Sequence, residues 1–333
     1  MTGVLSTSGF LTAALARQGN SLRADLQRAS TELTTGKKAD AGKAVGGDFF
    51  ALAALDHSLS RLAGFKATTA ETALLTDTMQ VALGVISDGA TSVSSDLLRN
   101  TGLNLPEQLT AVVTDGRRQF DSAISALNTR FAERAVFAGT RAESSPLPGS
   151  ETILAALDGV TAGAATVADV VTAISDFFDD PAGYEALYAG GPARAALPVS
   201  EGENVDLGVT ALDPAIRETL KGLAMVAMLD RGILSGQDAA RSNLARAAGE
   251  QLLSSSEARA VLAARIGTAQ AQIEDAATRN GAQDTALTIA RTNIMAADLA
   301  DAAARLEDLQ SRLDSLYTLT ARLSSLNLTT YLR

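Results

Sequence analysis

Two stripes of apolar residues, one near each end of the 333-residue chain, constrain its fold more than any other feature. Toward the C-terminus Leu306, Leu313 and Thr320 recur every seven residues, and Leu309, Leu316 and Leu323 form a second series offset by three. That is the a/d spacing of a coiled-coil seam, which puts all of these side chains on one face of a helix. Toward the N-terminus Leu11, Leu15, Leu22, Leu26, Ala29 and Leu33 also keep to one helical face. Either stripe alone leaves its leucines in water, and ordering one isolated helix is poorly compensated. Joining the two ends inside an assembly buries both. The arms are therefore expected to be mobile in a free subunit and helical in a polymer. The candidate interface residues are Leu11, Leu15, Leu22, Leu26, Leu306, Leu309, Leu313, Leu316 and Leu323.

The sequence between the stripes continues the helical theme. Aromatic residues make up only 4% of the chain and tryptophan is absent. A core of small and straight-chain side chains favours close-packed helices. The first helix is expected to stop at TTGKK, where Gly36 supplies an end signal. Residues 39–50 then read as a folded loop, with Asp48 available to cap the next helix. Leu52, Leu55, Leu59 and Leu62, followed by Leu75, Met79, Ala82 and Ile86, predict a helix of about 40 to 50 residues ending near Asn100–Gly102. Another helix opens at Pro106 and is expected to run to about Arg134.

From 135 to 149 the helical period is lost, and a short strand or hairpin with a domain boundary near 142 is expected. Between Glu143 and Asp213 twelve acidic residues face a single basic one, Arg194, which leaves the remainder of the chain nearly balanced. This acidic middle reads as a small α+β domain, with a helix at TVADVVTAISDFFDD and strands at ARAALPV and ENVDLGVTAL. Asp213-Pro214 opens a further helix, with cap and first-turn proline in their preferred order. Helix returns over 236–280, and a last long helix is expected from 282 to 323. The resulting organisation is an arm at 1–35, half a helical bundle at 36–142, the acidic domain at 143–232, the other half at 233–290, and a heptad arm at 291–333. The fold class is mainly α, with an inserted α+β domain.

The same residues narrow the chemistry. A net charge of -10 argues against a nucleic-acid surface. There are no cysteines and one histidine, His57, so neither a disulfide framework nor a zinc site is supplied. Asp176, Asp179 and Asp180 lack the order of a calcium loop, and read as a helix end and turn. Gly190-Gly191 lacks the lysine of a phosphate loop, and the Asn327 sequon is a weak pattern. The first residues lack the basic region of a cleaved signal, and no stretch has the length of a membrane span. No catalytic, cofactor or metal site is expected.

Three segments carry a family resemblance: ASTELTTGKKADAG at 29–42, FAERAVFAGTRAESSPLPG at 131–149, and LEDLQSRLDSLYTLTARLSSLNLTTYLR at 306–333. In these the chain resembles the flagellin superfamily, and most closely its hook-associated branch, the junction proteins between hook and filament. The middle is similar only through VSEGENVDLGVTALDPAIRETLKGLA at 199–224. The resemblance implies a flagellin-like coiled-coil bundle whose two terminal arms line an inner tube while the middle faces outward. It implies self-association in a ring, an adjacent hook-associated protein on the hook side, flagellin on the filament side, and a cytoplasmic export chaperone. It also implies an extracellular place in the flagellum after export without a cleaved signal. LTTGKKADAGKAVGG departs from the pattern usual in flagellins, and its glycine-rich stretch at 42–47 departs from both branches. Flagellin or a filament variant is the alternative within the family. A glycan-binding outer domain, or an enzyme within 143–232, is the alternative outside it.

Overall fold

A computed structural model describes residues 3–103 and 106–331, with side chains at 10, 13–101 and 108–322. The chain is mainly helical and divides into two compact units, one formed by 1–63 with 282–333 and the other by 64–281. Eleven helices are present among the described residues: α1 (Gly3–Thr35), α2 (Ala41–Ala44), α3 (Phe50–Leu103), α4 (Pro106–Leu127), α5 (Ser150–Thr161), α6 (Val167–Asp179), α7 (Tyr184–Leu187), α8 (Pro214–Asp230), α9 (Asp238–Ser254), α10 (Ser256–Met295) and α11 (Leu299–Tyr331). Two small antiparallel hairpins, β1 (Arg130–Phe131) with β2 (Arg134–Ala135) and β3 (Leu197–Ser200) with β4 (Glu203–Val205), complete the described elements.

In the first unit α1 and α11 pack along each other. α1 ends where Gly36 takes φ +66°, a conformation that costs glycine nothing, and its N–H donates to Glu32 O at 2.9 Å. The chain then runs beside the turn that opens α11. Lys38 N donates to Met295 O at 2.8 Å, and Ala297 N donates to Gly36 O at 3.0 Å, an isolated antiparallel bridge between Lys37 and Ala296. Asp298 caps α11 by accepting from the N–H groups of Ala300 and Asp301. The expected loop at 39–50 contains the single turn of α2, capped by Asp40. Asp48 accepts from Phe50 N at 2.9 Å at the head of α3.

The second unit is organised around α8. From Gly222 to Leu229 every residue is buried, as a run apolar on all sides requires. α4, α5, α6 and α9 all pack against it. The approaches are close because glycine sits at the crossings. A Cβ at Gly116 would lie 2.2 Å from Val226 Cγ1, and one at Gly222 would lie 2.6 Å from Leu252 Cγ. One continuous apolar core runs from Leu75 of α3 through Leu154, Phe178 and Val205 to Ala276 of α10. The acidic segment thus shares its core with the helices on either side. Its acids take structural partners at the surface: Arg117 and Arg231 both reach Glu151, and Arg231 also holds Asp158.

Three expectations about elements are corrected. α4 stops at Leu127 rather than Arg134, because Phe131 and Arg134 close a hairpin through Ala132 (φ 46°) and Glu133 (φ 63°), a turn without the usual Asn-Gly marker. The helix expected to break near 281 runs on: Asn280, fully buried, donates to Val199 O at 2.8 Å instead of ending α10. The chain breaks instead at Ser255, where buried Arg259 donates to Leu252 O and to Ser255 Oγ, and again at 296–298, so the last helix begins at Leu299 rather than 282. α5 has no counterpart among the expected elements, whereas α6 is capped at Thr166 by the capping box that TVAD encodes.

Candidate assembly interface

The two stripes meet within the chain. As α1 ascends from Gly19 to Gly36, its neighbours descend from Leu316 to Ala297, so the helices are antiparallel. Among the described leucines of the candidate set Leu316 is the best buried, at 8% exposure. It lies over Gly19, where a Cβ would approach Leu316 Cδ2 to 3.5 Å. Leu15, Leu22, Leu26, Leu306, Leu309 and Leu313 are half-buried, whereas Leu33 is exposed. The side chains of Leu11 and Leu323 lie outside those described. Among the described residues Ala29 and Ala302 are also buried in the seam. Ala302 was legible as the d position seven residues before Leu309, but its small side chain hid it. Gly19 carried no signal of its own.

Polar groups set the edge of the seam. Arg23 Nη2 donates to Tyr317 Oη at 2.7 Å, and its guanidinium stands 5.7 Å from the ring centroid, a cation–π arrangement. Asp25 pairs with Arg28, and Asp308 with Arg312. Apolar side chains nevertheless remain uncovered in this unit. Phe10 is 70% exposed, and Leu299, Tyr317 and Leu319 are also open to solvent. Half-buried leucines flanked by exposed aromatic and aliphatic groups leave more apolar surface than one antiparallel pair can cover.

The remaining candidates have structural settings. His57 is exposed on α3. Asp179 accepts from Lys221 Nζ at 2.8 Å, and Asp180 accepts from Ala182 N at the turn after α6. Among the described residues no group of three or more His, Asp or Glu could hold a metal ion, and no helix is long and apolar enough to cross a membrane. Asn327 lies outside the described side chains.

The glycine pair 190–191 has a packing role. Gly191 N donates to Ala138 O, Thr140 N donates to Pro192 O, and Arg194 Nε donates to Gly139 O, each at 2.9 Å. The FAGTR stretch at 137–141 is therefore laced to 188–194. Gly139 has φ +58°, and a Cβ there would fall 2.3 Å from Pro192 O. Tyr184, in the same unit, is fully buried, and burial pushes its phenol far above the usual range.

An antiparallel pair of terminal helices forms one unit, and the sequence between them forms a second helical unit with small hairpins. Residues 254–332, which span α10 and α11, match the bacterial flagellin C-terminal helical region. The fold is similar to that of the crystal structure of Bacillus cereus FlgL, at 15% identity over 70% of this chain and 96% of that one, with a TM-score of 0.50. A structure of a putative flagellar hook-associated protein from Vibrio parahaemolyticus is also similar, at 15% identity over 73% and 95% of the two chains, again with a TM-score of 0.50. No curated protein matches by sequence. The last two helices thus resemble the C-terminal helical region of bacterial flagellin, and the fold is similar to that of these two flagellar structures.

Proposed function

We propose that this chain is a structural, non-catalytic subunit of the bacterial flagellum that joins hook to filament. The observation that carries the proposal is the antiparallel pairing of α1 with α11, the latter lying within the matched flagellin region, in a fold shared with FlgL. In this reading the arms at 1–35 and 291–333 form the inner part of a ring of copies. The half-buried leucines, with Leu11 and Leu323, then complete their burial against neighbouring copies. Residues 143–232 face outward, although they share the core of the second unit.

The mechanism is mechanical. Long helices laid side by side resist bending and shear, and a water-free leucine seam keeps the contact in register under load. A ring so built couples two polymers of different stiffness without any chemical step. Its neighbours are a hook-associated protein on one side and flagellin on the other, and a cytoplasmic chaperone holds the arms before export to the cell exterior.

The test is an epitope tag at the exposed turn Glu201-Gly202 between β3 and β4, followed by immunogold electron microscopy of intact flagella. A single labelled band where hook meets filament is the expected result. Label along the whole filament would make the chain a flagellin. Absence of label from flagella would remove both readings.

A further inference from the structure

The glycine-rich stretch at 42–47 builds an ordered turn that presents two phenyl rings to solvent. Gly46 (φ 62°) and Gly47 (φ 87°) take the left-handed conformation that residues with side chains rarely adopt. Gly47 N donates back to Gly42 O at 2.9 Å, and Asp48 N donates to Val45 O at 3.1 Å. Asp40 and Asp48 spend their carboxylates on the N–H groups that open α2 and α3. The Phe49 ring lies over Gly42, where a Cβ would come within 3.4 Å of its Cζ. Phe49 is nevertheless 50% exposed and Phe50 is 82% exposed, the highest value for a large apolar side chain among the described residues. A pair of rings held in water by a capped turn is an apolar patch of the kind that marks an interaction surface.

A receptor of matching chemistry lies within 64–281. Between α3 and α10 runs a groove of about 610 Å³, walled by the short side chains of Ala70, Ala73 and Ala277 around buried Ile273 and Thr76. The Thr76 hydroxyl donates to Thr72 O and Ala73 O, and that of Thr69 donates to Phe65 O and Lys66 O. Both hydroxyls are thus spent on their own helix. A small-molecule site of this size converges polar groups on its ligand, whereas this groove offers methyl groups. Its rim carries Asp77 and Glu274 against Lys66. The aromatic turn follows Lys37, Lys38 and Lys43, and its two aspartates are committed to caps. Apolar character and charge therefore match between turn and groove. With Phe50 so exposed, the pair does not fill the groove of its own chain.

We infer that the Phe49-Phe50 pair of one copy inserts into the α3–α10 groove of a second copy. Turn and groove are different surfaces, so each copy gives one contact and receives another, a head-to-tail arrangement that extends into a ring or a helix. The inference rests on the self-association in the proposed function and not on the junction assignment, because a filament subunit uses the same contact.

The test places p-benzoylphenylalanine at Phe50, which keeps an aromatic ring there and bonds covalently on irradiation to the C–H groups it touches. Full-length chains, isotope-labelled and unlabelled, are mixed at the highest soluble concentration, irradiated and digested. The expected products are mixed-isotope peptide pairs joining position 50 to 66–77 or 270–277. Ala277→Trp, which fills the groove from an exposed position, should lower their yield by about tenfold or more. Val261→Trp, 64% exposed on the same helix outside the groove, should leave the yield unchanged. Circular dichroism checks that both variants fold. Links within one copy only, links to α1 or α11 instead, no links, or equal yields from both variants would each overturn the contact. Gold label along the whole filament would overturn the junction reading alone.

Discussion

Replacing Gly19 by alanine should strengthen the pairing of the two terminal helices, although glycine at a helix crossing usually signals that nothing larger fits. Here the nearest atom to an added Cβ is Leu316 Cδ2 at 3.5 Å, an ordinary van der Waals contact. Two gains add. Alanine is favoured over glycine in a helix interior by about 0.8–1 kcal/mol. Burying one methyl against Leu316 contributes up to about 0.8 kcal/mol more. A total near 1.5 kcal/mol corresponds to roughly tenfold slower amide exchange. Hydrogen exchange resolved by segment separates the parts, because propensity acts on α1 alone whereas contact with Leu316 also protects α11. In a Leu316→Ala background the packing share should vanish and the propensity share remain. Faster exchange in the Gly19→Ala chain would show that the helices approach more closely than described. Protection confined to α1 would show that the two helices do not pair in solution.

Three further outcomes follow from the same structure. Gly139→Ala places a Cβ against two carbonyl oxygens at a positive φ and should cost about 3 kcal/mol or more, read as a lowered urea midpoint; an unchanged midpoint would contradict the lacing of 137–141 to 188–194. The Arg117 hydrogen bond and charge, aided by Arg231, hold the exposed Glu151 carboxyl below the usual carboxylate range. The stability from that contact is full above the ordinary glutamate pKa and is lost as pH falls through the depressed folded-state value. Glu151→Gln should therefore flatten the decline of the urea midpoint on acidification, and parallel declines in parent and variant would refute the role. Leu316→Asp sets a carboxylate in the seam and should abolish incorporation into flagella while the unit at 64–281 keeps its thermal transition; normal incorporation would remove the seam from the assembly interface.

Strong periodicity made the helices legible, and the misses have physical causes. α1, α3 and α11 were readable because leucines recur over many turns, and α8 because Asp213-Pro214 marks its start. The end of α4 was hidden because Ala132 and Glu133 adopt turn conformations that usually favour Asn and Gly. Asn280-Gly281 looks like a helix stop, yet its asparagine spends its hydrogen bonds on β3. The seam's leucines were visible from spacing, but Gly19 and Ala302 matter through what they leave room for, which no pattern of large side chains reports. The shared core of 143–232 was masked by surface acidity, since charge describes the outside of a segment and α8 is its inside.

The pairing of α1 with α11 also sets a clock. Arg23 and Tyr317 touch across 294 positions of sequence. At a synthesis rate of about 5–20 residues per second, Arg23 leaves the ribosome roughly 15–60 s before its partner exists. Throughout that interval the leucines of α1 have no mate within their own chain, and an isolated amphipathic helix is only marginally ordered in water. α11 thus completes α1 long after α1 is made, so a ribosome that stops before α11 releases a chain whose α1 stays sticky.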